Sequence, residues 1–440
     1  MSVAFVSLGC AKNLVDSERM LAVLGQGGHI VGSPQEEADV ILVNTCGFLA
    51  EASEESYEVI RQAIAQKKTG PCRRVVVAGC LTSRYGRQLL EDFPGIDAVV
   101  GVNNREDVLM AVAGDGRSRP LVLASRRSKR PGSDVPRVRI TASPFAYLRI
   151  SEGCSQHCSF CTIPAIRGPF RSKPVRTIVR EAKELLGDGV VELNIIGQDT
   201  SSYGHDLPSG VRLADLLAKL DELDGLEWLR VLYAYPSSLD RRTIEAMAGM
   251  EHVVHYLDLP LQHISDRILP RMGRRFSRAR TERLVQRLLA AMPDLALRTT
   301  MIVGFPGETD AQFAELLDFV RQTQFTALGS FAFSAEEGTR AAGLSGQVPD
   351  EVKKERLGEL MRLQQQIVLA RNGSLVGQKL DVLIEHISES GQIQGRYYGQ
   401  APEVDSVCYV QTRRKLRAGQ IIRAEVTGYE GYDLKVKPAR

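Results

Sequence analysis

Hydrophobic positions follow three different rhythms along the 440-residue chain. In the N-terminal quarter, apolar β-rich runs at 3–8, 39–45 and 74–79 alternate with stretches at 13–24 and 51–67 whose apolar positions recur at helical spacing. That alternation predicts a parallel sheet flanked by helices, because parallel neighbours need a crossover element between them. Each of the three runs leads directly into a cysteine: Cys10, Cys46 and Cys80.

The alternation resumes six times in the middle of the chain, with predicted strands at 145–151, 190–197, 227–233, 253–259, 296–304 and 325–333. Six such units predict a partial (β/α) barrel, whose chemistry belongs at the C-terminal ends of its strands. Helix starts are signalled by Thr309 with Gln312 three residues on, and by Ser277 ahead of the run to Met292. After a predicted helix at 350–372 the rhythm shortens to strands at 379–386, 392–398, 406–411, 421–426 and 433–437, punctuated by glycine. Short strands of that kind predict a small closed β-barrel. The expected organisation is therefore α/β: a parallel-sheet domain at 1–116, a linker at 117–140, the partial barrel with its following helix at 141–372, and an all-β barrel at 373–440.

Composition narrows the setting. Hydrophobic residues at 43% and charged residues at 25% are those of a globular chain. The first ten residues lack the basic start and apolar core of a secretion signal, and no apolar run approaches the roughly 20 residues of a spanning helix. The expectation is a cytoplasmic protein with no membrane partner. A net charge of +3 is too small to argue for nucleic acid by itself. Between Arg117 and Arg139, however, eight Lys/Arg face one acid, Asp134. The linker reads either as a solvated hinge or as a patch facing RNA or an acidic surface.

Eight cysteines in such a chain point to metal or redox chemistry rather than to a disulfide framework. Cys154, Cys158 and Cys161 form Cys-x-x-x-Cys-x-x-Cys in the loop after the first predicted barrel strand. Three thiolates on one loop can hold three corners of a 4Fe-4S cube and leave the fourth iron open. The motif resembles that of the radical S-adenosylmethionine (SAM) superfamily, where SAM chelates the open iron. Competing readings are a zinc site completed by His157 and an electron-transfer cluster completed by a distant cysteine. Cys10, Cys46 and Cys80, 36 and 34 residues apart, end strands of one parallel sheet and can converge at its edge. Gly9, Gly47 and Gly79 beside them would allow the backbone to approach a cluster, while the plainer reading is three small buried residues. Cys72 and Cys408 have no such context and read as structural.

The stretches Gly9-Cys10-Ala11-Lys12-Asn13-Leu14-Val15-Asp16-Ser17-Glu18, Asn44-Thr45-Cys46-Gly47-Phe48, Gly79-Cys80 and Gly153-Cys154 through Cys161 closely resemble the methylthiotransferase family of radical SAM enzymes. The resemblance spans almost the whole chain, and the terminal barrel with Ala401-Pro402-Glu403-Val404-Asp405 looks like a TRAM domain. Leu8 to Asn13, Tyr256 to His263 and Gly197 to Thr200 are similar to the branch that modifies an aspartate of ribosomal protein S-twelve. Ala11 departs from the pattern, which has proline there.

The resemblance implies two 4Fe-4S clusters, one on Cys154, Cys158 and Cys161 that binds SAM, and an auxiliary one on Cys10, Cys46 and Cys80. It implies that Phe160, Gln198, Ile302, Val303 and Gly304 line the SAM pocket, and that a methylthio group is added to the β-carbon of the target aspartate. No side chain of moderate pKa can activate such a carbon, so no catalytic acid or base is expected. The implied partners are the ribosomal protein, gripped by the C-terminal β-barrel, an electron donor and a sulfur source. Within the class, methylthiolation of a tRNA adenosine is the alternative, supported by the basic linker and the small barrel. From another class, the chain could be a non-catalytic iron–sulfur module that binds RNA or senses.

Overall fold

The computed structural model describes residues 1–114, 119–124, 131–140 and 144–439. The N-terminal strands β1 (Ser2–Ser7), β2 (Ile30–Val31), β3 (Val40–Thr45), β4 (Arg74–Gly79), β5 (Ala98–Gly101) and β6 (Leu121–Leu123) form one parallel sheet in the order β2-β1-β3-β4-β5-β6. β3 and β4 are buried at almost every position, as strands covered on both faces must be. The pattern missed β2, β5 and β6, which are two to four residues long and too short to establish a period. β6 falls within the expected linker, so part of that segment belongs to the sheet; residues 117–118 and 125–130 of it lie outside the described residues.

The middle of the chain forms a second six-stranded parallel sheet: β7 (Phe145–Arg149), then β10 (Glu192–Ile196), β11 (Trp228–Val231), β12 (Val253–Asp258), β13 (Ala296–Val303) and β14 (Ala327–Ala332), in that spatial order. Between the first two lies a small antiparallel pair, β8 (Ser151–Glu152) and β9 (Arg171–Ser172). Sequential neighbours throughout, open between β7 and β14, make this the partial barrel that six strand–helix units predict. Strand period explains its two faces. Ala146, Leu148 and Ile150 join the core under the helices, whereas Phe145 and Tyr147 face the concave side. The expected helix starts are present: Ser277 Oγ accepts from the Arg280 N–H, and the Thr309 N–H donates to Gln312 Oε1 at 3.0 Å.

After a helix over Asp350–Leu375, the strands β15 (Lys379–Ile387), β16 (Ile393–Tyr397), β17 (Cys408–Val410), β18 (Ile421–Glu430) and β19 (Asp433–Pro438) close into a barrel. Cys408 sits in its core, and Cys72 sits in an apolar core of the N-terminal sheet. The barrel seats against the concave face of the middle sheet, where Leu383 and Ala401 pack with Phe145, Tyr147 and Tyr256. Polar contacts fix its orientation. Fully buried Glu192 accepts from Arg230 at 2.9 Å and from Arg396 at 2.5 Å, Tyr147 donates to Glu403 at 2.7 Å, and Tyr256 donates to Asp405 at 2.7 Å. No helix among the described residues is long and apolar enough to cross a membrane.

Replacing Glu192 leaves two buried guanidinium groups without their shared carboxylate, and breaking a buried pair costs about 3–5 kcal/mol. Glu192→Ala is therefore expected to melt earlier and to expose the 373–378 junction to protease. An unchanged melting curve and digestion pattern would show that this junction does not depend on the carboxylate.

Candidate active site

The first cysteine set owes its position to strand order. β1, β3 and β4 are immediate neighbours, with Ser7 opposite Asn44 and Thr45 opposite Gly79, so the residues after them emerge side by side at one sheet edge. Neighbouring strands lie about 4.8 Å apart. Cys10 precedes the helix Ala11–Gln26, Cys46 follows β3, and Cys80 opens the helix Cys80–Tyr85. The flanking glycines serve the packing of these loops on one another. A Cβ at Gly9 would stand 3.0 Å from Cys46 Cβ, and one at Gly47 would stand 2.7 Å from Leu81 Cα. Gly79 has φ +101°, and a Cβ there would meet the Thr45 carbonyl at 2.6 Å.

The second set sits in the loop after β8, and that loop runs into a short helix, Ile163–Arg167. The end of this helix reaches the first set: Ile166 packs against Cys80, and Arg167 Nη2 donates to Cys80 Sγ at 3.3 Å. The same guanidinium pairs with Asp16 and Glu152, each at 3.0 Å. Glu152 accepts from Gln198 Nε2 at 3.0 Å and from Arg149 at 2.9 Å, and Asp16 accepts from Arg149 and Arg105 at 2.6 Å. Arg149 also binds Asp134, which takes a hydrogen bond from Lys173 at 2.7 Å. Asp134 comes from the expected linker and is 2% exposed, so that end of the segment is an internal anchor. Asp16, Arg149, Glu152 and Arg167 went unread in the sequence as a site, although Asp16 lies within the first motif.

These charges set the state of the thiols. Burial pushes Cys80 up to about 12 against the opposing pull of Arg167. Cys10 is the exposed member of its set. Its desolvation raises the thiol's pKa, but Lys12, Arg167 and the Asn13 and Lys12 N–H groups together bring it below the usual thiol value. In the second set burial drives Cys154 and Cys161 up to about 12, against weaker help from the N–H groups of Gln156 and Ile163. The loops of the first set pack on one another, with a Cβ at Gly9 standing 3.3 Å from Cys46 Sγ and one at Gly47 standing 3.2 Å from the Cys80 carbonyl carbon, and the second set shares a single loop. Burial raises Cys408 in the terminal barrel's core to about 12 as well, so the shift alone does not distinguish a ligand from a core thiol, and the grouping of the cysteines is what does. Among the described residues no three His, Cys, Asp or Glu side chains close around a single metal ion. A cubane, with its ligands on separate irons, needs its sulfurs further apart than one ion does.

The five residues expected around SAM do not all face one space. Phe160 and Ile302 meet in a small apolar cluster with Phe305 and Phe333. Gln198 is held by Glu152 through its amide nitrogen, while its Oε1 is buried without a hydrogen-bond partner. Val303 points instead into the core under the helices, and Gly304 packs beneath the Lys353 stem, where a Cβ would stand 2.3 Å from Lys353 Cγ. Gly304 still contributes its backbone, since its N–H donates to buried Glu308 at 3.0 Å. Two further side chains lie at the loop: Tyr235 packs with Cys158, and the Arg274 guanidinium lies 4.6 Å over the Tyr235 ring.

Two outcomes follow from these charges. On the metal-free protein, iodoacetamide near neutral pH should modify Cys10 first and leave Cys80, Cys154 and Cys161 largely unlabelled, read by peptide mass mapping; preferential labelling of Cys80 would contradict the assigned environments. Burial raises Glu152, but Arg167, Arg149 and Arg105 outweigh it and hold its carboxyl at about 2. Its folded pKa lies below the unfolded value of about 4.3, so its contribution is complete above that value and is lost as pH falls towards about 2. Near-UV circular dichroism should report loosening of the domain junction in that window, and a flat signal through it would refute the network's role.

Three family models match successive stretches of the chain. The chain matches uncharacterized protein family UPF0004 at residues 2–101, the radical SAM superfamily at 148–320 and the TRAM domain at 376–438. Among solved structures, the radical SAM methyltransferase TsrM from Kitasatospora setae shares the fold at TM-score 0.55 and 16% identity, over 75% of this chain and 74% of that one. Ribosomal protein uS12 methylthiotransferase RimO from Geotalea uraniireducens is 42% identical over 98% of this chain and 97% of its own length. The enzyme of the same name from Syntrophomonas wolfei is 41% identical over 99% of each. With identity at that level from end to end, through both cysteine sets and the terminal barrel, the chain belongs to the RimO family of methylthiotransferases.

Proposed function

We propose that the chain is a radical SAM methylthiotransferase that adds a methylthio group to the β-carbon of an aspartate in ribosomal protein uS12. The observation that carries this reading is the meeting of the two cysteine sets across one buried contact, Arg167 to Cys80. Cys154, Cys158 and Cys161 would hold one 4Fe-4S cluster with SAM on it, and Cys10, Cys46 and Cys80 would hold the other. When bound, these groups supply the radical that removes a hydrogen atom from the substrate carbon and the sulfur that replaces it.

The work of the protein's own residues is binding and geometry. The unpartnered Gln198 Oε1 fits an N–H of the SAM amino group, because a buried acceptor without a donor costs free energy until one arrives. Glu152 holds that amide in place. Phe160 and Ile302 offer an apolar wall that excludes water from a radical reaction. Arg84, paired with Glu336 at 3.0 Å, and the Ala50 N–H, bonded to the same carboxylate at 2.9 Å, close the N-terminal domain onto the last strand end of the middle sheet. Val303 and Gly304 act through the backbone.

The substrate protein docks on the terminal barrel. Glu403 and Asp405 are already engaged by the middle sheet, which leaves the outward turn carrying exposed Arg413, Arg414, Lys415 and Arg417 as the free face. An electron donor and a sulfur source complete the partners, and a ribosomal substrate places the reaction in the cytoplasm.

The test uses anaerobically reconstituted protein, dithionite, SAM and either uS12 or tRNA. Deoxyadenosine should form, and uS12 alone should gain the methylthio mass. Cys158→Ala should abolish deoxyadenosine, whereas Cys46→Ala should keep SAM cleavage and lose sulfur insertion. Mass gain on tRNA alone would move the substrate to RNA, and absence of deoxyadenosine from loaded wild type would leave only a binding or sensing role.

A further inference from the structure

One cation beside the first cysteine set is buried and has no acceptor. Lys12 stands in the first turn of the helix Ala11–Gln26, two residues after Cys10, and is 8% exposed. Among the described residues its ammonium makes no ion pair and donates no hydrogen bond. What it meets is a ring face, with Nζ 3.1 Å from the centroid of Tyr233. A ring supports a cation on one side only and leaves its N–H groups without the oxygen acceptors they bond best. The position is unfavourable twice over, since a positive charge in a first turn opposes the helix dipole and a buried charge without a counter-ion is costly.

The other half of the contact is strained and firmly held. Tyr233 lies just beyond β11 at a left-handed φ of +60°, a backbone state that bulky residues seldom take and that clusters at functional sites. Its N–H donates to Asp258 at 3.2 Å, and its carbonyl accepts from the Thr200 N–H at 3.1 Å. The pair joins the surroundings of the two cysteine sets: Lys12 follows Cys10 by two residues, and Tyr233 precedes by two residues Tyr235, which packs with Cys158. Ala11 and Leu14 belong with Tyr233 to the apolar cluster that seats this end of the helix on the concave face. Lys12 also eases charge on Cys10, but it donates no hydrogen bond to that sulfur.

We propose that the Lys12 ammonium, seated on the Tyr233 ring, binds the side-chain carboxylate of the target aspartate and so selects a protein substrate over RNA. The inference rests on the function proposed above, in which the β-carbon of that aspartate reacts. In aspartate the carboxylate carbon is bonded to the β-carbon, so a cation that fixes the carboxylate places the reacting carbon one bond away. The idle N–H groups of Lys12 would form charge-assisted bonds to it, which are the strong ones. An adenine base carries no anionic group to answer the ammonium. An RNA phosphate would answer the charge, but it lies several bonds from every base carbon and would leave the reacting atom unplaced.

The experiment measures binding of the cluster-loaded enzyme, with SAM present, to uS12 and to uS12 whose target aspartate is replaced by asparagine, which keeps the shape and removes the charge. Wild type should bind the aspartate form about 10-fold more tightly, as one hydrogen bond between charged groups would give. Lys12→Met should lose that preference by weakening the aspartate form alone, and Lys12→Arg should restore part of it. Because the substitution removes an unpaired buried charge, Lys12→Met should fold at least as well as wild type; iron content and circular dichroism check this, and Lys12→Gln takes its place if it does not. A preference that persists in the intact variant overturns the proposal. A variant that binds tRNA more weakly and both forms of uS12 as wild type does overturns it in favour of an RNA phosphate. Tight and equal binding of the two forms by wild type defeats the proposal alone, whereas wild type that binds neither defeats the function reading and the proposal with it.

Discussion

Four carboxylates and four cations, joined in one continuous set, decide how the parts of this molecule meet. Asp16 and Glu152 each face Arg105, Arg149 and Arg167; Asp134 faces Arg149 and Lys173; Lys173 turns to Glu181. Apart from Arg105, at 17% side-chain exposure, these groups are buried. Removing such charges from water costs several kcal/mol per ion, and apolar replacements of similar volume are often as stable or more so. What apolar side chains cannot supply is direction. A guanidinium held by two carboxylates from different elements has one orientation, and Arg167 turns a third N–H to a cysteine of the other domain. The network thus fixes the second cysteine loop against the first sheet edge to within a hydrogen bond.

That orientation is useful only because the sheet has already aligned the first set. Strand order β1-β3-β4 brings three positions from a span of 71 residues to one edge, and the tight packing at Gly9, Gly47 and Gly79 lets their loops touch. Any side chain at Gly79 would have to displace the Thr45 backbone, which carries the next cysteine. The same economy governs the middle sheet. Its outward positions build the helix core and its inward positions receive the terminal barrel, so the lower part of the concave face is filled and the strands' C-terminal ends are left for chemistry.

Much of this was readable in the chain. The six strand–helix units, the five-stranded closed barrel and the adjacency of the three cysteine-bearing strands all follow from periodicity, because long apolar runs leave few alternatives. The strands at 30–31, 98–101 and 121–123 did not show, being shorter than the period that would reveal them. The ion network was invisible for a different reason. Asp16, Asp134, Arg149, Glu152 and Arg167 look like ordinary surface charges until the fold brings elements more than a hundred residues apart into contact. The SAM-side expectations were uneven on the same ground: strand alternation alone would have turned Val303 away from Ile302, and it does.

The two cysteine sets also differ in how far the protein itself prepares them for charge. Cys10 has Lys12 and Arg167 at hand, and Arg167 reaches Cys80 as well, so the first set has cations built into its walls. Cys154 receives a backbone N–H from Gln156 at 3.4 Å and otherwise faces Asp199 and its fellow thiols, with burial the dominant effect. Cys161 has Arg274 as its cation, but that contribution is the weakest of those acting on it. A thiolate at Cys154 or Cys161 therefore finds less compensating charge in the fold than one at Cys10 does. Within the first set that support brings Cys10 alone below the usual thiol value, since burial still raises Cys46 and Cys80. In the second loop burial holds Cys154 and Cys161 up, and a metal bound there would supply the positive charge that the protein does not.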